Sequence, residues 1–282
     1  MSIFDEILSA NIEDYTKFPL LNSLSKTILA GEKILNICVG KENLKKHDIV
    51  VNTLYRKILE QSDGIFILLD HDSNSALTST LRSLYETSIG FQFIFQDESL
   101  FENRAISYYV SFIQEQLVWT KKGIKSGELS RIYSREELFK KIKKLEDTLK
   151  DEPLRSVNEV WKKRKAQLEK KKHFSPPKWY SLYGKANSFS KLAADFKGTH
   201  PLIYSGYSLE SHGYNALQSI VYDKENQRQL LTPLRYEDNQ KETWCFLTYV
   251  FTNLCTSLMI KRFCPDFSPD FQDFYNTISV RD

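Results

Sequence analysis

Glycine and proline are scarce in this chain of 282 residues, at 10 and 8. That leaves too few turn formers for the many short connections of a β-sandwich, barrel or propeller. Cysteine is scarcer still: Cys38, Cys245, Cys255 and Cys264 form no CxxC pair and no spacing suited to zinc. They read as buried thiols of a protein in a reducing cytoplasm, and the sequence implies neither a metal nor a cofactor. No Gly-rich phosphate loop, GxSxG elbow or HExxH pair occurs. The opening residues carry acids where a secretory leader carries Lys or Arg, so no export signal is expected. One uncharged run exists, Thr243 to Ile260, but four Thr, an Asn and a Ser dilute it. A buried core helix is expected there, and no membrane span.

What the chain does have is apolar material in helical order. Hydrophobic residues make up 41% and charged residues 27%, enough to build a core and too apolar for disorder. Leu21, Leu24, Ile28 and Leu35 step by three, four and seven. Val51, Leu54, Ile58 and Ile65 continue the pattern behind Asp48, a plausible N-cap. Segments 73–96 and 99–122 follow, with a break at Gly123–Gly127. The block after Pro176-Pro177 reads as helical again, and 219–242 as a polar connection containing a short hairpin. The expected fold is all-α: a helical bundle built from residues 1–135 and 176–282, with a Lys-rich helical hairpin inserted at 136–175.

That insertion differs in composition from everything else. Residues 138–172 hold 13 Lys and Arg against 6 Asp and Glu, about +7 in a chain whose total is +3. Leu138, Ile142, Leu145 and Leu149 form a narrow seam, Pro153 marks a turn, and Val157, Trp161 and Leu168 begin a second helix. The run Lys162, Lys163, Arg164, Lys165 is of the kind that tracks a phosphate backbone. The plain alternative is a solvated helix pair, or a surface that docks a protein partner.

Two constellations could carry chemistry. In residues 73–96 only Arg82 and Glu86 are charged, four apart and on one helix face, among Leu77, Leu81, Leu84 and Ile89. A pair in so apolar a helix reads as desolvated, either as a clasp that fixes register or as an anion-binding Arg oriented by Glu86. Ala76, Thr80, Ser83, Thr87 and Gly90 form a small-residue stripe beside it. Just upstream, Asp72 or Ser73 would cap the helix, and His71 could titrate beside an anion at its start. Further on, Tyr204, Ser208 and His212 are spaced to line one helix face, with His212 a candidate proton carrier.

Arg82-Ser-Leu-x-Glu86, then Trp179-Tyr-Ser-Leu-Tyr183, then Tyr207-Ser208-x3-His212 resemble, in that order, a bacterial family called domain of unknown function 5677. The resemblance spans about residues 45–220, and its last motif departs slightly, with Leu209 after the serine. Trp179 and Tyr207 belong to these motifs and are expected to contribute to binding. The family's helical character is similar to HEPN domains, many of them metal-independent ribonucleases of toxin and phage-defence systems. Their Arg-x4–6-His motif is missing here, since no Arg stands at that distance before any of the five histidines. What the resemblance implies is a cytoplasmic, homodimeric protein that binds or cleaves RNA. Arg82, Glu86, Ser208 and His212 would then converge in space. A non-catalytic interaction protein, or a sensor of a nucleotide-like anion, would use the same residues without chemistry.

Overall fold

The computed structural model describes residues 3–9, 18–170, 175–196, 219–236 and 239–279. Among them the chain forms helices α1 Ile3–Ser9, α2 Pro19–Val39, α3 Lys46–Asp70, α4 Asn74–Phe95 and α5 Phe101–Ser126. These are followed by α6 Arg135–Thr148, α7 Leu154–Glu169, α8 Phe189–Ala194, α9 Lys241–Phe263 and α10 Ser268–Ile278. An antiparallel hairpin, β1 Ile220–Asp223 with β2 Arg228–Leu231, sits in the polar connection and pairs Ile220 with Leu231 and Asp223 with Arg228. The fold is all-α. The chain divides into two compact units, Met1–Asn43 with Asn52–Gln92 and Ala193–Asp282, and Leu44–Val51 with Phe93–Leu192.

In the first unit α2 packs along α9, with α1 and α10 beside them. Helix α2 starts with Pro19 in its first turn, where a missing N–H costs nothing, and buries Leu21, Leu24, Ile34 and Leu35. Helix α9 buries residues on nearly every side, from Trp244 and Cys245 through Tyr249 and Cys255 to Met259. It has the length and apolarity of a membrane-crossing helix, and 61% of its most apolar window is buried inside the protein. Its threonine hydroxyls and the Asn253 amide N–H groups are satisfied locally and across helices, while the Asn253 Oδ1 is buried without a partner. Thr248, Thr252 and Thr256 each donate to the carbonyl four residues earlier. Tyr55 meets Thr256 at 2.8 Å, Ser62 meets Thr252 at 2.8 Å, and Asn253 donates to Thr27 at 3.2 Å. Such bonds tie α9 to α3 and α2 in one register, because a slip would bury unpaired hydroxyls. All four cysteines are buried and free, and burial pushes Cys38 and Cys255 up to about 12, far from a reactive thiolate.

The second unit is organised around α5. Its Ile106, Val110, Ile113 and Leu117 pack against Leu149, Leu154, Val157 and Trp161 of the α6–α7 hairpin, with Ile142 and Leu145 partly buried beside them. The seam read from the sequence is therefore the face by which the hairpin docks on α5. Each such side chain contributes roughly 1.5–3 kcal/mol when fully buried. A capping box starts α6: Ser134 accepts from the Glu137 N–H, and the Glu137 carboxylate accepts from the Ser134 N–H.

Three local expectations change. Helix α3 begins at Lys46, and Asp48 acts from inside the first turn, where its carboxylate accepts the Lys45 N–H at 3.0 Å. Helix α5 runs through Gly123 and stops at Gly127, whose φ of 77° is the left-handed conformation a C-terminal glycine supplies. Between Pro176-Pro177 and Phe196 the chain is mostly irregular, with a 3-10 turn at Trp179–Ser181 and only the six residues of α8, and residues 197–218 of the expected helical block lie outside the described residues. Two prolines without N–H groups, then Gly184, together with Ser181 donating to the Lys178 carbonyl and Ser188 accepting the Lys191 N–H, offset the apolar signal there.

Candidate nucleic-acid interface

The α6–α7 hairpin turns its apolar seam to α5, so its lysines are left to solvent. On α7, Leu154, Val157 and Trp161 are buried while Lys162 and Lys163 are exposed. The four-residue basic run is not uniform. Lys162 pairs with Glu159 at 2.8 Å and Lys165 with Glu169 at 3.6 Å, both within the helix. Lys163 and Arg164 have no carboxylate within ion-pair distance among the described residues. Arg164 donates only to the Gln167 side chain at 3.4 Å, and its Nε is buried without a partner.

These two cations line one wall of an open cleft of about 240 Å³ together with Gln167. Ser181, Leu182 and Gly184 line the other. A water occupies about 30 Å³ of liquid, so the cleft has room for a phosphate group and several waters. What it offers chemically is the two positive charges of Lys163 and Arg164 beside the polar side chains of Gln167 and Ser181, surroundings that suit an oxyanion.

The second wall is held in place by a residue the sequence reading passed over. Arg104, on α5, is 6% exposed. Its guanidinium donates to the Phe93 carbonyl at 2.6 Å and the Tyr183 carbonyl at 3.3 Å, and lies 3.9 Å from the centre of the Phe93 ring. Burial lowers its pKa, while the field of Asp97 acts the other way. Trp179 is enclosed by rings, edge-on to Phe93 at 5.7 Å, Tyr108 at 5.5 Å and Tyr180 at 5.7 Å. Burial raises the Tyr108 and Tyr183 hydroxyls. Gly184 closes the arrangement: a Cβ there would lie 2.5 Å from the Tyr180 carbonyl and 2.8 Å from the Phe93 ring. Trp179, expected to contribute to binding, is packed among these rings and does not line the cleft. The signal available in sequence was one arginine beside Ala105 and Ile106, at a turn of α5 where Phe101 is also buried.

Other expected site residues lie elsewhere. Arg82 donates to Glu86 at 3.0 Å within α4, in the first unit. Their side chains are 20% and 39% exposed, so the pair is partly solvated and not the desolvated clasp expected. Leu77, Leu81 and Leu84 face inward, and the Arg–Glu edge of the helix faces out. On the small-residue stripe Thr80, Ser83 and Thr87 spend their hydroxyls on carbonyls four residues back. His71 is the C-cap of α3, 57% exposed and 3.3 Å from the Asp70 carboxylate. Asp72 adopts φ 54°, and the Ser73 and Asp72 N–H groups return to Leu68 and Leu69, a Schellman closure. Asp72 then pairs with Lys241 at 3.2 Å, and the N-cap position of α4 falls to Ser73. Tyr204, Tyr207, Ser208 and His212 lie outside the described residues. Among the described residues no cluster of His, Cys, Asp and Glu could hold a metal ion.

No curated protein and no solved structure matches the chain. A family model does, over residues 48–228, a stretch that takes in α3 through α7, the basic hairpin and the Trp179 segment. The chain belongs to the family of unknown function DUF5677.

Proposed function

We propose that this is an RNA-binding protein of the cytoplasm, in which the α6–α7 hairpin supplies the phosphate contacts. The observation that carries the reading is the division within the basic run: Lys162 and Lys165 are ion-paired in the helix, while Lys163 and Arg164 have no carboxylate within ion-pair distance among the described residues and line an open cleft. A hairpin whose lysines served solubility alone would not need two cations without ion-pair partners side by side at a cleft. The test is charge reversal of Lys163 and Arg164 to Glu in the full chain, with RNA affinity measured across a salt series. A single strand gives a slope of about −0.7 per phosphate neutralised, so the double variant should bind more weakly with a slope shallower by about 1.4. An unchanged affinity and slope would remove the hairpin from RNA binding.

A cleaving form of this reading, in a defence or toxin-type role, follows the HEPN resemblance. It assigns charge stabilisation to Arg82 with Glu86, and proton transfer to His212 with Ser208. Incubation with total RNA in chelator, comparing the parent with His212→Ala and Arg82→Ala, separates it from binding alone: cleavage lost in both variants supports it.

A further inference from the structure

Helix α5 turns Ile106, Val110, Ile113 and Leu117 toward the hairpin. On a different stripe it carries Phe112, Glu115, Gln116 and Trp119, at steps of three to four residues and so on one side, with Glu115 the stripe's one acid against Lys140, Lys141 and Lys144 of the adjoining helix α6. Phe112 is 49% exposed and Trp119 54%. Neither ring meets another aromatic ring among the described residues. Two large rings left in water on one stripe mark a surface that something covers. Its charge tells what. Lys141, from α6, places its ammonium 5.2 Å from the centre of the Trp119 ring and donates to Gln116 at 3.4 Å. Lys140 and Lys144 on the same helix have no carboxylate within ion-pair distance among the described residues. A protein partner that buried the rings would have to desolvate these cations, whereas a strand of nucleic acid offers π faces to the rings and phosphates to the lysines.

We infer that the Phe112–Trp119 stripe is a stacking face for unpaired bases, so that the RNA bound is single-stranded. At 1.5 Å rise per residue the two rings are about 10 Å apart along the helix, far enough to engage two different bases. In a duplex those bases face each other inside the stack and cannot reach the rings. The inference rests on the proposed RNA reading for its polymer, and on α5 and α6, not on the Lys163–Arg164 cleft, for its geometry.

The experiment uses the full chain at low salt with a short labelled single-stranded RNA and a blunt duplex of equal length. The single strand should bind more tightly and quench tryptophan fluorescence. Trp119→Ala and Phe112→Ala should each weaken it by about tenfold and leave duplex binding unchanged, because a stacked base contributes on that order. Trp119→Phe should retain affinity and lose most of the quenching. A double variant with parental circular dichroism that binds the single strand as the parent does would overturn the inference. If charge reversal at Lys163 and Arg164 weakens both RNAs and the aromatic variants change nothing, stacking is refuted and RNA binding stands. A parent that binds neither RNA refutes both.

Discussion

Arg82 and Arg104 are both arginines embedded among apolar helix residues, one in each unit, and they are used in opposite ways. Arg82 is conspicuous in sequence because Glu86 stands four residues on, and that neighbour lets it stay at the surface, paired within its own helix. Arg104 has no such partner on α5. It turns inward and binds two carbonyls far apart in sequence, Phe93 and Tyr183, while stacking on the Phe93 ring. A charge that can be satisfied along its own helix adds little to the fold, whereas one that must find backbone acceptors elsewhere becomes a tie between segments. The substitution that breaks this comparison most directly is Arg104→Met. It keeps much of the volume and strips one buried carbonyl, Phe93, and one partly buried carbonyl, Tyr183, of their donor, at about 1–3 kcal/mol for the buried one and less for the other. Chemical denaturation should therefore report a loss of about 3 kcal/mol, with the second unit melting first. Arg82→Met should cost less than about 1 kcal/mol, since the pair is partly solvated and local. Equal losses would mean that burial of the guanidinium is not what separates the two.

Gly184 sharpens the same contrast from the carbonyl side. The Tyr183 carbonyl can reach Arg104 only if the chain passes close to Phe93, and a Cβ at 184 would collide with the Tyr180 carbonyl and that ring. Gly184→Ala should cost about 1–3 kcal/mol by overpacking, somewhat less than loss of the arginine. Because Gly184 also lines the cleft, it should weaken RNA binding together with stability. A variant as stable as the parent but weaker in RNA binding would separate cleft shape from the Arg104 tie.

The long helices were legible because their apolar spacing is regular and their partners are nearby in sequence. The part of the hairpin seam formed by Ile142, Leu145 and Leu149 could be read residue by residue, since a short turn at Pro153 brings the two helices together on α5. The segment from Pro176 to Phe189 misled for the opposite reason. Its aromatics have helical spacing, but what holds them is a set of contacts to Phe93, Arg104 and Tyr108, about 70 to 90 positions upstream and invisible to any local pattern. Within the candidate site, composition exposed the basic run as a whole. It could not distinguish Lys163 and Arg164 from Lys162 and Lys165, because that distinction depends on which acids the helix brings alongside and which cations face the Ser181–Gly184 wall.

The lower limit of the comparison is a surface pair that is as local as Arg82 and Glu86 but bonded to backbone. Glu137 accepts the Ser134 N–H and hydroxyl at 2.8 Å, and these bonds, the backbone one foremost, hold its carboxyl below the usual glutamate range. A depressed folded-state pKa means the contribution is complete above the unfolded value, about 4.3, and is lost as pH falls through the lower folded value. Amide protection factors in the first turn of α6, taken relative to the intrinsic exchange rate at each pH, should therefore fall on acidification below about pH 4, by no more than about fivefold, the usual worth of a cap. Ser134→Ala should show the reduced protection already at neutral pH and lose most of the pH dependence. Global stability should barely move in either case, since the seam on α5 and not the cap holds the hairpin down. A cap variant that releases the whole hairpin would show that, here, a local surface contact ranks with the buried arginine.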